Sequence, residues 1–346
     1  MRTVGITFFP GWRERLGGFE STIKSAWDMG FTEIFVGLGP GTHWRTPVTE
    51  AIKLGKDIMK RAQLMGYYVF SDISPSILSQ LGIGIQEIWK LRDMGITGVR
   101  LDYGFAMDAV KPIISQGMYV ELNASTVTEE EARKLTEIIS TEKIRASHNY
   151  YPVPFTGLSL EAVKRRSSIL EGMGIRVGGF IPTSDFKLRT TAEALRELPP
   201  KIASQVLFSL GVSRVLIGDP FPTWKDLAEV SRSRREDWIT VRLRPYPGII
   251  GDIFGRLLVL DKDKEYAIVG FNPLPLYVPP KNTVMRRRGT VCLVNEKREF
   301  TEVWIMKRDA PPDPAFNVIG EIGEEDLRLI ELSSKVVFEA HSPIKP

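Results

Sequence analysis

The chain reads as a (β/α)₈ TIM barrel over residues 1–235, followed by a small mostly-β barrel domain over residues 236–346. Three observations predict this. Short apolar runs of β character alternate with longer segments of helical period through the first two-thirds of the sequence. The strand-plus-helix unit recurs eight times, with no hairpin joining any two of the runs. After about residue 236 the helical period stops, and strand-like runs separated by Pro, Gly and charged turns take over. Buried-looking strands in β–α alternation favour a closed parallel barrel over a doubly wound open sheet, the competing arrangement.

In order, the runs are VGITFFP (4–10), EIFVGLG (33–39), YYVFSDIS (67–74), GVRLDYG (98–104), YVELNAS (119–125), IRASHNYY (144–151), IRVGGFIP (175–182) and SRVLIGDP (213–220). The helical segments between and after them cover 18–30, 48–66, 76–95, 105–117, 127–142, 159–174, 190–211 and 223–235. Gly30, Gly66, Gly95, Gly117, Gly174 and Gly211 stand as helix stops just before the next strand, where a left-handed residue is wanted. Thr128 and Thr223 open TEEEARKL and TWKDLAEV, each with a carboxylate in the first turn, as helix N-caps require. In the second domain ITVRLRPYPG, RLLVLDKDKEYAIVGF, TVMRRRGTVCLVN, TEVWIMKRD, FNVIGEIGEEDLRLIEL and KVVFEAH are read as strand-bearing runs, with LDKDKE as a hairpin turn. The RRR at 286–288 reads as a solvated edge.

Bulk composition narrows the function. An apolar content of 43% and a charged content of 25% in 346 residues are those of an ordinary globular protein. A net charge of +4 gives no support to a nucleic-acid binder. The single cysteine, Cys292 in GTVCLV, excludes an intrachain disulfide framework and a four-cysteine zinc site and reads as a buried small residue. The N-terminal MRTVGITFFPGW lacks the pattern of a secretory signal, and no window approaches a membrane span. The expectation is a cytoplasmic protein with a small-molecule substrate, no nucleic-acid or membrane partner and no cofactor, and with a homodimer left open.

A barrel of this kind carries its active site at the C-terminal ends of its strands, so the polar residues there are the candidates. Strand three ends in Asp72, strand four carries Arg100 and Asp102, and strand five carries Glu121 and Asn123. Strand six ends in Ser147, His148 and Asn149, and strand eight in Asp219. Strand alternation puts Val99 and Leu101 on one face and Arg100 and Asp102 on the other; Glu121 and Asn123 likewise oppose Val120 and Leu122. With the apolar faces toward the helices, Arg100, Asp102, Glu121 and Asn123 point into the barrel. Inward carboxylates beside an arginine have two readings. One is a buried ion-pair network. The other is a carboxylate pair at a catalytic mouth, as glycoside hydrolysis uses, with neighbouring charges splitting the two pKa values. Asp102 and Glu121 are the expected pair and Asp72 a further catalytic candidate; Asp72 and Asp219 are each as well suited to capping a loop.

His43, His148 and His341 lie in different regions without metal-ligand spacing, so no metal is expected; a carboxylate-only divalent site is the remaining metal reading. The strand-seven loop and the start of the eighth helix form the usual phosphate position of such barrels. Here they offer Thr183, Ser184, Lys187 and Arg189.

GITFFP, GVRLDYGF, ELNAS, ASHNYYPVPFTGLS, GFIP, IGDPFP and VIGEIGEEDLRLIEL together resemble the MupG family, over nearly the whole chain. The resemblance implies a TIM barrel followed by a cyclophilin-like β domain. It also implies a cytoplasmic exo-glycosidase of peptidoglycan recycling that releases N-acetylmuramic acid 6-phosphate from N-acetylglucosamine. On that likeness Asp102 and Glu121 fall in the family's RLDYG and ELNAS segments, and His148, Asn149 and Tyr151 in its SHN-x-YP segment. His148 and Asn149 are then expected to contact the sugar, with Tyr150 or Tyr151 as a stacking wall. The sequence departs from the family pattern at Val153, where an arginine is usual, and in TSDFKLRTTAEALREL, which leaves a relative acting on a different sugar open. Two other readings remain: a barrel isomerase or lyase acting on a sugar phosphate, and a non-catalytic carbohydrate-binding protein. An aldolase would need a Schiff-base lysine at a strand end, and none of the eight ends carries one.

Overall fold

The structure, a computed structural model, describes residues 1–39, 45–101, 104–105, 107–247, 253–271 and 278–340. It divides into two compact units, Met1–Arg235 and Glu236–Pro346.

In the first unit the strands are β1 (Thr3–Phe8), β2 (Glu33–Val36), β3 (Tyr68–Ile73), β4 (Gly98–Leu101), β5 (Tyr119–Asn123), β6 (Ile144–Ser147), β7 (Arg176–Ile181) and β8 (Arg214–Ile217). They pair in parallel in sequence order, and β8 returns to β1, so the sheet closes into the expected TIM barrel. Burial follows the pleat. Val4, Ile6, Ile34, Val36, Val99, Val120 and Leu122 are buried on the outward, helix-covered faces, while the alternate positions fill the barrel. There an aromatic and aliphatic cluster of Phe35, Tyr68, Phe70, Phe180 and Leu216 forms the inner core, with Tyr119 and Tyr150 packed against it.

The helices are α1 (Phe19–Asp28), α2 (Val48–Met65), α3 (Pro75–Leu81), α4 (Val110–Ser115), α5 (Glu129–Ile138), α6 (Leu160–Gly172), α7 (Pro200–Ser209) and α8 (Trp224–Ser233). The six helix-stop glycines all have positive φ, from +81° at Gly174 to +100° at Gly66. At Gly95 a side chain is excluded twice over: φ is +91° and a Cβ would lie 2.5 Å from Lys60 N. Thr128 and Thr223 cap α5 and α8, with Glu131 and Asp226 completing the reciprocal bonds.

Three expected helices are shorter. The 76–95 segment breaks at Gly82, and Ile85–Met94 continues as a 3₁₀ helix. The 105–117 segment forms a 3₁₀ turn over Met107–Ala109 before α4. Helix is also absent from Thr190–Thr191, and the segment before α7 holds a 3₁₀ turn, Glu193–Leu195. Pro200, at the first position of α7, has no N–H to give a preceding turn.

The second unit is a closed barrel of β9 (Ile239–Pro245), β10 (Leu257–Asp261), β11 (Ala267–Phe271), β12 (Thr290–Val294), β13 (Glu302–Met306), β14 (Phe316–Glu321) and β15 (Lys335–Ala340), in the order β10-β11-β13-β12-β14-β9-β15. Its neighbours are antiparallel except β9 and β15. LDKDKE makes the turn between the antiparallel β10 and β11, and Cys292 is buried. Two expectations are corrected here. EEDLRLIEL is not a strand run but a helix, α9 (Glu324–Leu332), with three acids in its first turn and Leu327 and Ile330 buried one turn apart. Nor is the arginine run wholly solvated. Arg286 is buried over the Phe316 ring and donates to the Pro311 carbonyl, while Arg288 pairs with Glu324.

Candidate active site

The polar residues of the barrel interior form two groups, divided by the aromatic cluster. One group is a buried ion network. Glu33 and Arg214 are the first residues of β2 and β8, so both enter the barrel at its N-terminal end. Arg214 Nη2 donates to Glu33 at 2.7 Å and to Glu121 at 2.5 Å. Thr3 Oγ1 donates to Glu33 at 2.7 Å, and Arg145 lies 3.5 Å from the same carboxylate. Burial would push the Glu33 carboxyl up, but Arg214 outweighs it and holds the group down at about 2. Desolvation works against the Arg214 charge too, yet Glu121 and Glu33 together raise its pKa above the ordinary arginine value.

The other group stands at the C-terminal strand ends. Asp72 of β3 is the register partner of Arg100 of β4, and the two side chains pair at 3.1 Å. Arg100 is 2% exposed and Asp72 27%, so the cation is buried beneath a carboxylate that reaches the surface. Arg100 Nη2 donates to Asn149 Oδ1, which also accepts from Asn123 Nδ2 at 3.2 Å. Asn123 Oδ1 in turn accepts the Ser125 N–H at 3.0 Å. Tyr150 closes this side. Its ring packs edge-on against Phe35 and Phe180, and burial, then the Asp72 charge, push its phenol up to about 12.

The chain of rings between the groups is continuous. Arg214 lies 5.6 Å from the Phe70 ring, Phe70 packs on Phe35 at 5.3 Å, and Phe35 on Tyr150 at 5.8 Å. Glu121 therefore sits on the far side from Asp72. It is the register partner of Arg100, but it is 0% exposed and its carboxylate turns to Arg214. Of the two readings of Glu121, its surroundings are those of the buried ion pair. Asp102, the other member of the expected pair, lies outside the described residues, as do His43 and His341.

The remaining candidates divide as follows. His148, expected at the sugar, is 0% exposed, with its ring between Ser167 and Ser125. Asn149 and Asn123 do join the mouth cluster. Tyr151 is held through its main chain, bridged to Thr190. Asp219 is 0% exposed and accepts the N–H groups of Thr183, Leu188 and Arg189 at 3.1, 3.0 and 2.9 Å. It shapes the strand-seven loop from within, which is the loop-capping reading of this residue. Burial raises its pKa, against those three N–H groups.

The four phosphate candidates on that loop are all engaged. Thr183 is 1% exposed and accepts the Phe186 N–H; Ser184 donates to Asp226 at 2.5 Å. Arg189 is 3% exposed, 3.5 Å from Asp219 and 4.6 Å from the Phe9 ring. Lys187, with φ +50°, pairs with Glu197 at 2.8 Å and keeps 43% of its side chain exposed.

The sixth βα loop, YPVPFTG, is held by a staple. Glu193 accepts the Phe155 and Gly157 N–H groups at 2.9 Å each, and Arg196 bonds Glu193 and the carbonyls of Tyr151 and Val153. The Arg196 bond holds the Glu193 carboxyl down at about 2. Phe155, inside this staple, has φ +65° and is 93% exposed.

Sequence reasoning missed Glu33, Arg214 and Ser125. The first two carry a usable signal, since a charged residue opening an apolar strand on its inward parity demands a partner across the barrel. Ser125 carries none. Among the described residues no group of three or more His, Cys, Asp or Glu is placed to hold a metal ion.

A family model described as "6-phospho-N-acetylmuramidase, N-terminal" matches residues 4–232, and one described as "6-phospho-N-acetylmuramidase, C-terminal" matches residues 272–336. No curated protein matches the chain. An uncharacterized B. cereus protein of known structure is similar at 22% identity and a TM-score of 0.78, covering 98% of this chain and 99% of its own. A conserved Enterococcus faecalis protein of unknown function is similar at 24% identity and a TM-score of 0.68, over 98% and 97% of the two chains. Both share the fold across both units.

Proposed function

From the premise that the chain belongs to the 6-phospho-N-acetylmuramidase family, we propose that it is a cytoplasmic glycosidase. Its substrate would be a small phosphorylated amino-sugar disaccharide of peptidoglycan recycling, cleaved at the Asp72 end of the barrel. The observation that carries the assignment of the site is the Asp72–Arg100–Asn149 cluster at the C-terminal strand ends, with Asp72 a carboxylate that reaches solvent. A carboxylate paired with a buried guanidinium suits a nucleophile, a base or an electrostatic stabiliser of an oxocarbenium-like transition state. The second carboxyl that glycoside hydrolysis requires is assigned to Asp102, on the inward parity read from GVRLDYG. Glu121 is assigned to the barrel's ion network. Asn149, Asn123 and Tyr150 are assigned to the sugar, as hydrogen-bonding groups and a ring.

No helix of the described residues is long and apolar enough to cross a membrane. For the phosphate, Lys187 is the one of the four loop candidates with an exposed charge, in competition with Glu197.

The test is hydrolysis of aryl glycosides of N-acetylmuramic acid and N-acetylglucosamine, each with and without a 6-phosphate. The wild type is expected to cleave a phosphorylated member, and Asp72→Asn to lose at least about a hundredfold in kcat while remaining folded. Lys187→Ala is expected to raise KM for phosphorylated members only. Absence of cleavage by the wild type on all four substrates refutes the hydrolase reading, and full activity in Asp72→Asn refutes the site.

A further inference from the structure

We propose that His148 is a positioning residue, clamped between Ser167 and Ser125, that fixes the main chain at Asn149 so that the Asn149 amide directs Arg100 onto Asp72. The proposal rests on the reading that the Asp72 cluster is the active site.

In the proposed clamp Ser125 Oγ accepts the Asn149 N–H at 3.0 Å and turns its own proton to His148 Nδ1, 3.4 Å away. Nδ1 is then an acceptor, and the ring proton, on Nε2, is donated to Ser167 Oγ at 3.0 Å. The imidazole is neutral in this arrangement. Its surroundings agree. The ring is 0% exposed, and burial, then the Arg166 and Arg100 charges, push its pKa down to about 3.

From Ser125 the network runs both ways around Asn149. The Ser125 hydroxyl holds the Asn149 N–H, while the Ser125 N–H holds Asn123 Oδ1, and Asn123 Nδ2 holds Asn149 Oδ1 at 3.2 Å. Arg100 donates to the same Oδ1 and pairs with Asp72 at 3.1 Å. Ser167 belongs to α6, Ser125 follows β5 and His148 follows β6, so the ring ties two strand ends to a covering helix. Nothing in the chain of contacts brings His148 to the substrate itself. Its effect passes through Asn149, and an error of about 1 Å in a group so placed costs up to a hundredfold in rate.

The test uses two replacements of similar size. In His148→Asn the side-chain amide reaches the place of Nδ1 and keeps a partner for Ser125; in His148→Gln the amide reaches the place of Nε2 and keeps only Ser167. The Asn variant is expected to retain kcat within about threefold, and the Gln variant to lose about ten- to a hundredfold with KM little changed. Equal kcat in the two variants, or greater loss in the Asn variant, overturns the proposal. Nitrogen-15 imidazole spectra of the wild type, with only three histidines to assign, are read in parallel. A protonated Nε2 and bare Nδ1 that do not titrate between about pH 5 and 8 support the clamp, and an Nδ1–H tautomer or a titrating ring overturns it. Should the wild type cleave none of the glycosides, the functional reading fails, and the spectra with the Asn149 amide shift in His148→Gln still decide the clamp: a shifted Asn149 amide supports it and an unmoved one overturns it.

Discussion

Replacing Glu121 by Gln separates its two readings, because each makes the opposite forecast. The carboxylate is 0% exposed and accepts from Arg214 Nη2 at 2.5 Å, while Arg214 also spans Glu33. Breaking a buried pair costs about 3–5 kcal/mol because the surviving charge stays buried. Here Arg214 keeps Glu33, and glutamine keeps an acceptor oxygen near the same place, so the loss falls at or below the bottom of that range, about 2–3 kcal/mol. For a unit the size of Met1–Arg235, that is a fall in Tm of roughly 4–12 °C. The assay is urea unfolding at pH 7 followed by far-UV circular dichroism, with kcat measured in parallel and divided by the folded fraction. The expected result is a destabilised protein whose folded molecules keep kcat within a few-fold. A variant as stable as the wild type that has lost about a thousandfold or more in kcat would refute the reasoning and return Glu121 to the catalytic pair.

Two further predictions concern stability. The Glu33 carboxyl, held at about 2 against an ordinary 4.5, contributes roughly 3 kcal/mol; the group's folded pKa is lowered, so this is present above pH 4.5 and lost as the pH falls toward 2. Urea midpoints of wild type and Glu33→Gln should differ widely at pH 7 and converge near pH 2; a constant difference across that range contradicts the linkage. Phe155 holds φ +65° while 93% exposed, a conformation that costs an L-residue about 1–2 kcal/mol. Phe155→Gly should stabilise the chain by up to about 1 kcal/mol, net of the entropy glycine adds to the unfolded state. Phe155→Val should destabilise it, and a lower urea midpoint for the glycine variant would count against strain at this residue.

Periodicity was enough for the barrel. Eight apolar runs with helices between them, six of the helices stopped by a glycine, leave little choice of architecture, and the glycines do adopt the left-handed conformation their positions ask for. Strand parity also placed Arg100, Glu121 and Asn123 inside, because a pleat alternates whatever the strand packs against. What parity does not carry is position along the barrel axis. Glu121 and Asn123 share a face, yet two residues of strand is about 7 Å, enough to put one in the ion network and the other at the mouth. The length of local pattern misled in α9, where EEDLRLIEL followed β14 without a break in apolar texture.

By itself, then, the sequence determined the barrel, its helix stops and caps, and which residues face inward, since these depend on neighbours a few positions away. The tertiary structure alone decided what each inward group meets. Arg214 is 93 positions from Glu121, and Ser167 is 19 from His148. The charge of a buried carboxylate or imidazole is set by such partners and by desolvation. That is why the histidine of SHNYYP, which reads as a sugar contact, is a buried ring between two serines, and why Asp72 rather than Glu121 reaches the surface.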